Sequence, residues 1–244
     1  MNKLYHFITI RLTKIWVQLY LFVSALIGKQ WKKVQGVWLP IKKEIGFDTL
    51  RWIVNGEYEI GEINILKAKL AEGDTVLEVG TGLGFISTYC ALKLGNDAIV
   101  TYEANPVNVA LAQQVFKQNK VAPQSHHQIL GEKAGWTSFA VNEQQKLASS
   151  LMKSGENTIQ VEVVALNEVI QHLKPTYLVM DIEGGEYEML HLIQFGTIQK
   201  VQFELHPAIL GEEKCQQIFA LLAKHHFIQD QTVSVHPNYF FKRQ

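Results

Sequence analysis

Hydrophobic and polar positions follow two different periods along most of the chain. Short apolar runs rich in Val, Ile and Leu indicate buried strands, and longer segments with apolar residues three or four positions apart indicate helices. From residue 74 onward the two patterns alternate, which is typical of a parallel sheet covered by helices on both faces. The expected strands span 75–79, 98–102, 125–130, 136–141, 158–164, 177–182, 200–205, 227–231 and 239–242, and the expected helices span 85–94, 108–119, 186–195 and 212–225.

The first 46 residues have a different pattern, and we expect them to form an extension before an α/β domain over 47–244. Residues 4–27 are mostly apolar, but Arg11 and Lys14 interrupt them. Only 15–28 run without charge, which is short for a membrane span of about 20 residues. The pattern therefore predicts a helix that packs in a core or dimer, attaches to a membrane surface, or belongs to a cleaved signal peptide. A strand or hairpin arm over 32–41 and a helix over 58–70 are expected to follow.

Composition narrows the class of protein. A chain of 244 residues with 47% hydrophobic and 19% charged residues is typical of one globular domain and excludes disorder. The formal net charge is zero, which argues against the basic surface that nucleic-acid binding requires. Cys90 and Cys215 lie far apart without metal-ligand spacing, so we expect no disulfide framework and no zinc site. The chain is expected to be intracellular and reduced.

A glycine-rich segment, GTGLGF at 80–85, follows the first strand of the alternating pattern. Glycines permit positive φ and let a ligand approach the backbone, and the next helix begins with unpaired N–H donors. A dinucleotide fingerprint would need glycine at Phe85, so the match to a nicotinamide or flavin site is incomplete. Glu103 ends the next strand, where a carboxylate can accept both hydroxyls of a ribose. The candidate nucleoside-binding residues are Glu78, Gly80, Thr81, Gly82, Gly84, Phe85, Glu103, Ala104 and Asn105.

Four segments resemble, in their order and spacing, the FkbM family of S-adenosylmethionine (SAM)-dependent methyltransferases. They are LEVGTGLGF, YEANP, MDIEGGEYEML and QFELHP, and the resemblance covers about 58–207. The DIEGGEYEML segment is the specific part, since the family carries an Asp-x-Glu-Gly-x-Glu signature there. Two positions depart from the family pattern. Glu78 stands where the family commonly has Asp, and Glu132 lies in a Gly-Glu-Lys stretch where the family more often has a small residue, Ser and an acid, so Glu132 is added to the cofactor site on a weaker match.

The resemblance implies a Rossmann-like class I methyltransferase fold. Its seven-stranded, mostly parallel sheet has the order 3-2-1-4-5-7-6, with the last-inserted strand antiparallel and helices on both faces. It also implies SAM as the cofactor and transfer of the methyl group to a hydroxyl of a sugar, glycan or natural product. The candidates for accepting the hydroxyl proton are Asp181, Glu183, Glu204 and His206, of which Asp181 also belongs to the expected cofactor site.

Several alternatives stay open at this point. Asp181, Glu183 and Glu186 offer oxygen ligands for Mg²⁺, although a metal is not the favoured interpretation. We expect a small-molecule or glycan acceptor, no nucleic acid, and either peripheral membrane contact or a homo-oligomer through the N-terminal helix. A cytoplasmic location, with membrane association as an alternative, follows from where SAM is made. The competing functions are a non-catalytic cofactor-binding or assembly module and a nucleotide-dependent oxidoreductase.

Overall fold

The computed structural model describes residues 2–140, 158–182 and 184–244, with the backbone alone for 2–12 and 43. The chain divides into two compact units, Met1–Glu59 and Ile60–Gln244. Among the helices of the described residues, none combines the length and the apolar character that crossing a membrane requires.

The first unit is a long helix, a hairpin and a short helix. Its elements are α1 (Asn2–Leu26), β1 (Trp31–Val34), β2 (Val37–Pro40), a 3-10 turn (Lys43–Ile45) and α2 (Phe47–Asn55). Helix α2, which the sequence pattern did not predict, packs against α1 and β1, and Lys32 Nζ donates to Val54 O at 2.7 Å. Because α2 packs on these elements, the compact unit continues to Glu59, whereas the expected extension ended at residue 46.

The second unit contains the alternating strands and helices. Its helices are α3 (Ile60–Lys69), α4 (Phe85–Leu94), α5 (Pro106–Asn119), α6 (Leu166–Leu173), α7 (Glu186–Leu192), α8 (Pro207–Leu210) and α9 (Glu212–Lys224). Its strands are β3 (Val76–Val79), β4 (Ile99–Tyr102), β5 (Gln124–His126), β6 (Ile129–Gly131), β7 (Gly135–Ala140), β8 (Thr158–Ala165), β9 (Tyr177–Met180), β10 (Lys200–Glu204), β11 (Phe227–Gln229) and β12 (Asn238–Arg243).

Seven of these strands form one sheet in the order β11-β12-β10-β9-β3-β4-β5. When the seven strands are numbered 1 to 7 along the chain and read from the β5 edge, this order is 3-2-1-4-5-7-6. Strand β12 runs antiparallel to β10 and β11, and the other neighbours are parallel. The predicted α/β class with a mostly parallel sheet is confirmed. Parallel strands point their carboxyl ends to one edge, so the residues after β3, β4, β9 and β10 come together there.

Helices cover both faces of this sheet, as the alternation of side chains along each strand requires. On one face Leu77, Leu178 and Val201 share a buried core with residues of α6, α7 and α9. On the other face the row Glu78, Val179 and Gln202 meets α3 and α4, since Glu78 accepts from Ser87 and Gln202 donates to the Glu62 carbonyl.

The region from 124 to 173 differs from the predicted pattern. The single strand expected over 125–130 was wrong: β5 lies at an edge of the large sheet, whereas β6 pairs with β8 in a second, three-stranded sheet. The chain bends at His127, whose ring nitrogen Nε2 is hydrogen-bonded with Ala104 O at 3.0 Å. Helix α6 was not predicted, while β7 confirms the strand expected over 136–141. The loop expected over 144–150 lies outside the described residues.

Candidate active site at the carboxyl edge of the sheet

The loop after β3 brings two neighbouring strand ends into direct contact. Gly80 has a φ of 91°, and a β-carbon built on it would lie 1.9 Å from Asp181 O. The Asp181 amide also donates to Val79 O at 3.0 Å. Glycine is therefore required at position 80, because any side chain would collide with the backbone that follows β9. The loop and Asp181 consequently form one continuous rim.

Glu103 fixes the loop from the end of β4. Its Oε2 accepts a hydrogen bond from Gly82 N at 2.9 Å and its Oε1 accepts one from Asn105 N at 2.7 Å. Burial raises the pKa of Glu103, and the two backbone donors act against that rise. Asn105, which is also buried, caps α5 by accepting from Val107 N at 3.0 Å. The predicted pair of loop and acid is thus held together by backbone hydrogen bonds.

Two predicted cofactor residues lie beneath the loop and shape it. The Glu78 carboxylate is buried and accepts a short hydrogen bond from the Ser87 hydroxyl in the first turns of α4. Burial raises the pKa of Glu78 to about 7, while its hydrogen bonds lower it. Thr81 is buried too, and its hydroxyl pairs with that of Thr101 on β4. These contacts tie the loop to α4 and β4.

The remaining predicted cofactor residues occupy different positions around the loop. Gly84 has a φ of 75° and packs closely against α5. A β-carbon at this position would lie 2.7 Å from Phe116 Cε1. Phe85 begins α4 and is fully buried, so it supports the loop from within the core. Ala104 is partly buried after β4. Glu132 is exposed in the turn between β6 and β7 of the smaller sheet.

Three of the four predicted proton acceptors come together beside the loop. Asp181, Glu204 and His206 each place one side-chain oxygen or nitrogen so that all three atoms lie within 4.8 Å of one another. Glu183, the fourth candidate, lies outside the described residues. Side chains at the carboxyl ends of β9 and β10 are therefore close together at the edge of the sheet.

His206 is oriented by an acid that the proton-acceptor set left out. Its Nδ1 lies 3.3 Å from Oε1 of Glu186, a fully buried residue at the start of α7, and its Nε2 lies 3.8 Å from Glu204 Oε1. The Gly184 amide donates to the same Glu186 oxygen at 3.2 Å. Glu186, an alternative metal ligand in the sequence, thus contacts the imidazole ring and the Gly184 amide in this structure.

Glu62 on α3 also joins the site, and sequence reasoning missed it. Its side chain is buried and hydrogen-bonded to Glu204. Burial raises the pKa of Glu62, the hydrogen bond with Glu204 lowers it in part, and the charge of Asp181 raises it. Two carboxyl groups can share a hydrogen bond only when one carries the proton. The burial of Glu62 could have been predicted from the sequence. Glu62 precedes Leu66 by four residues and therefore lies on the same, buried face of the helix.

The cluster contains groups that could hold a cation. Asp181 and Glu204 offer oxygen, and His206 offers nitrogen. Mg²⁺ prefers ligand sets made of oxygen alone, whereas an imidazole suits transition metals such as Zn²⁺ or Fe²⁺. Of the oxygen-ligand alternative Asp181, Glu183 and Glu186, Asp181 belongs to this cluster and Glu183 lies outside the described residues.

A glycine loop after the first strand of the sheet, an acid after the second, and polar side chains after the fourth and fifth define a class I methyltransferase type of site. The model of the FkbM methyltransferase domain family matches residues 78–231, which is more than half of the chain. The chain belongs to the FkbM methyltransferase family.

Known proteins show more distant likenesses. The ribosomal protein L11 methyltransferase of Bacillus cereus is 38% identical over 58 residues, which is 24% of this chain and 18% of that protein, so the chain spans about a fifth of the relative's length. A methyltransferase from Pyrococcus furiosus superposes with a TM-score of 0.48 at 14% identity, covering 93% of this chain and 97% of that one. Magnesium protoporphyrin IX methyltransferase from Synechocystis, solved with bound SAM, gives a TM-score of 0.44 at 14% identity and covers 76% of this chain and 77% of that one. The family assignment rests on the family model.

Proposed function

We propose that this protein transfers a methyl group from SAM to a hydroxyl oxygen of a sugar, glycan or small natural product. The observation that carries the proposal is the contact between the buried Glu186 and His206, next to Glu204 and Asp181. Methylation of a hydroxyl requires removal of its proton as the oxygen attacks, and an oriented imidazole supplies that function near neutral pH.

The hydrogen-bond partners of His206 define its basic nitrogen. A carboxylate only accepts hydrogen bonds, so the imidazole nitrogen facing Glu186, Nδ1, carries the proton. That tautomer leaves Nε2 as the nitrogen that takes a proton. A buried carboxylate behind the ring holds its orientation and stabilises the imidazolium that forms. Glu186 is therefore a positioning residue and His206 the proposed general base.

The described residues around the glycine loop fit an adenosine-bearing methyl donor. The bare backbone at Gly80 and Gly82 permits close approach, and the Glu103 carboxylate lies at the strand end where ribose hydroxyls are bound in such folds. When bound, SAM supplies an electrophilic methyl group on a sulfonium. The chain's own contribution is to orient the acceptor and receive its proton, since alignment of the reacting groups accounts for much of the rate of such displacements.

The chemistry of the cluster also favours an acceptor rich in hydroxyl groups. Asp181 and Glu204 are partly exposed carboxylates beside the proposed base. Carboxylates accept hydrogen bonds from hydroxyls and so can position them. Neighbouring hydroxyls of one sugar ring could each contact one of these acids. This pattern supports a sugar or polyol acceptor.

The test is methyl transfer from labelled SAM to a panel of acceptors grouped by nucleophile: sugars and glycans, phenols, amines and thiols. We expect hydroxyl acceptors to be methylated, and we expect His206→Ala to lower kcat at least about a hundredfold, since general base catalysis contributes that much. Binding of S-adenosylhomocysteine should persist in this variant. The control is His191→Ala, because His191 is exposed on α7 and contacts the Tyr187 carbonyl.

Four outcomes contradict the proposal. Methylation of amines or thiols alone would assign another acceptor atom. Full activity of His206→Ala would remove the proposed base. Tight binding of S-adenosylhomocysteine with no acceptor ever methylated would instead favour the non-catalytic module, and binding of NAD(H) in place of SAM would favour an oxidoreductase.

A further inference from the structure

From residue 13 to its end at Leu26, helix α1 exposes an apolar side and buries a narrower, partly polar side. Ile15, Leu19, Phe22 and Leu26 follow one another at intervals of four, three and four residues, which places them on one face of the helix. Each of them is between 53 and 70% exposed. We call these four residues the exposed stripe. Trp16 and Ile27, also exposed, border it.

The opposite side of α1 is the one that packs within its own unit. Val17 and Ser24, seven residues apart, are buried on that side, and α1 packs against α2. The Lys14 ammonium lies 5.8 Å from the ring centre of Phe47, the first residue of α2. The helix therefore already has its packing partner, and the exposed stripe is a second surface. A continuous apolar patch of this kind on a folded unit marks an interaction site.

The charged residues of the segment 1–43, which contains this helix, are all basic. Residues 1–43 contain eight basic side chains and no acidic one, while all 23 acidic residues come later in the chain. The eight are Lys3, Arg11, Lys14, Lys29, Lys32, Lys33, Lys42 and Lys43. The neutral net charge of the chain thus conceals a basic N-terminal segment and an acidic remainder.

Two of the basic groups lie close to the border of the exposed stripe. The ammonium groups of Lys29 and Lys32 lie 5.7 and 5.2 Å from the ring centre of Tyr20 on α1. The Tyr20 ring in turn lies 6.3 Å from that of Trp16. Aromatic rings and lysines beside an apolar stripe are the combination found where proteins contact the headgroup region of a bilayer.

We propose that α1 attaches this protein to the surface of an anionic membrane, with the exposed stripe buried among the lipids and the neighbouring lysines at the headgroups. Charge complementarity selects this occupant over a second copy of the chain. Two copies joined through α1 would bring together two units that each carry nine basic and only four acidic residues over 1–59. An anionic bilayer satisfies both the apolar and the basic groups.

The experiment is co-sedimentation of the full chain with vesicles of phosphatidylcholine alone and of phosphatidylcholine with about one-third phosphatidylglycerol. We expect binding to the anionic vesicles at least about tenfold stronger than to the neutral ones, since each basic residue near such a surface strengthens binding about fivefold. Leu19→Glu with Phe22→Glu should abolish binding. Lys29→Glu with Lys32→Glu should remove the preference for anionic vesicles. The matched control is Trp136→Glu, which changes a large exposed apolar side chain on β7 and should bind normally.

Any of the following results would overturn the proposal. Wild-type protein that stays in solution has no such attachment, and binding that survives Leu19→Glu with Phe22→Glu does not use the exposed stripe. Equal binding to both kinds of vesicle excludes the role of the lysines. A dimer by light scattering that becomes a monomer in the Leu19→Glu, Phe22→Glu variant, without vesicle binding, assigns the stripe to a second copy. Circular dichroism of each variant shows that a loss of binding is not a loss of fold.

Discussion

Replacement of Glu78 by glutamine should change how the stability of this protein depends on pH. Glu78 is buried under the glycine loop, and burial raises its pKa from 4.5 to about 7. A carboxyl group whose pKa is raised on folding binds its proton more tightly in the native state. Its contribution to stability is therefore complete below pH 4.5 and is lost as the pH rises through about 7. Glutamine keeps an oxygen that accepts from Ser87 but has no proton to lose.

The size of the effect follows from the shift in pKa. Each pKa unit corresponds to about 1.4 kcal/mol, so ionisation of Glu78 should lower the free energy of unfolding by about 2 to 3 kcal/mol between pH 5 and pH 8.5. Glu78→Gln should therefore gain stability relative to the wild type by that amount over the same range. Urea unfolding of both proteins at the two pH values measures the difference. A difference that stays constant with pH would refute the assignment of a protonated Glu78 below the loop.

Two further substitutions test contacts in the second unit. Lys200→Met should lower the free energy of unfolding by about 3 kcal/mol, because it leaves the buried Asp74 carboxylate without its ion pair at 2.6 Å. Lys214→Met is the control: it removes an exposed ion pair with Glu188 and should leave the urea midpoint unchanged. Gly80→Ala should lower the free energy of unfolding by more than about 3 kcal/mol, because the strain of a positive φ is added to the collision with the backbone after β9. Gly95 also has a positive φ but open space around it, so Gly95→Ala should lower the free energy of unfolding by only about 1 to 2 kcal/mol. Equal urea midpoints for the two alanine variants would contradict the close approach at Gly80.

Much of the site could be predicted because it rests on a general property of parallel sheets. Residues that follow the strands meet at one edge, so Gly80 and Glu103 could be grouped from the strand pattern, and the family resemblance added Asp181 and Glu204 at the ends of later strands. The pattern of apolar residues does not predict which of two sheets a strand joins. Alternating residues at 125–130 are equally compatible with one strand or two, and the bend at His127 depends on a contact with Ala104 that lies over 20 residues away.

Contacts made by helices from a distant part of the sequence were harder to predict. An acid in the first turn of a helix is favourable next to the helix dipole, and Glu62 lies in the first turn of α3. Its burial against Glu204 arises only when α3 packs on β10 and β12. The division between the two units has a similar origin, since α2 is assigned to the first unit by its packing on α1 and not by its own sequence.

The hydrogen bond between Glu62 and Glu204 leads to a last prediction about the site. One shared proton keeps the two carboxyl groups together, and its loss at higher pH places two negative charges in contact near Asp181. Either Glu62→Gln or Glu204→Gln removes this repulsion, so each single variant should be more stable than the wild type at pH 8.5. The double variant should gain little more, because the repulsion can be removed only once. A double-mutant cycle by urea unfolding should therefore give a coupling energy above about 1 kcal/mol at pH 8.5 and a smaller one at pH 5. Single effects that add to within about 0.5 kcal/mol at both pH values would show that the two groups do not share a proton.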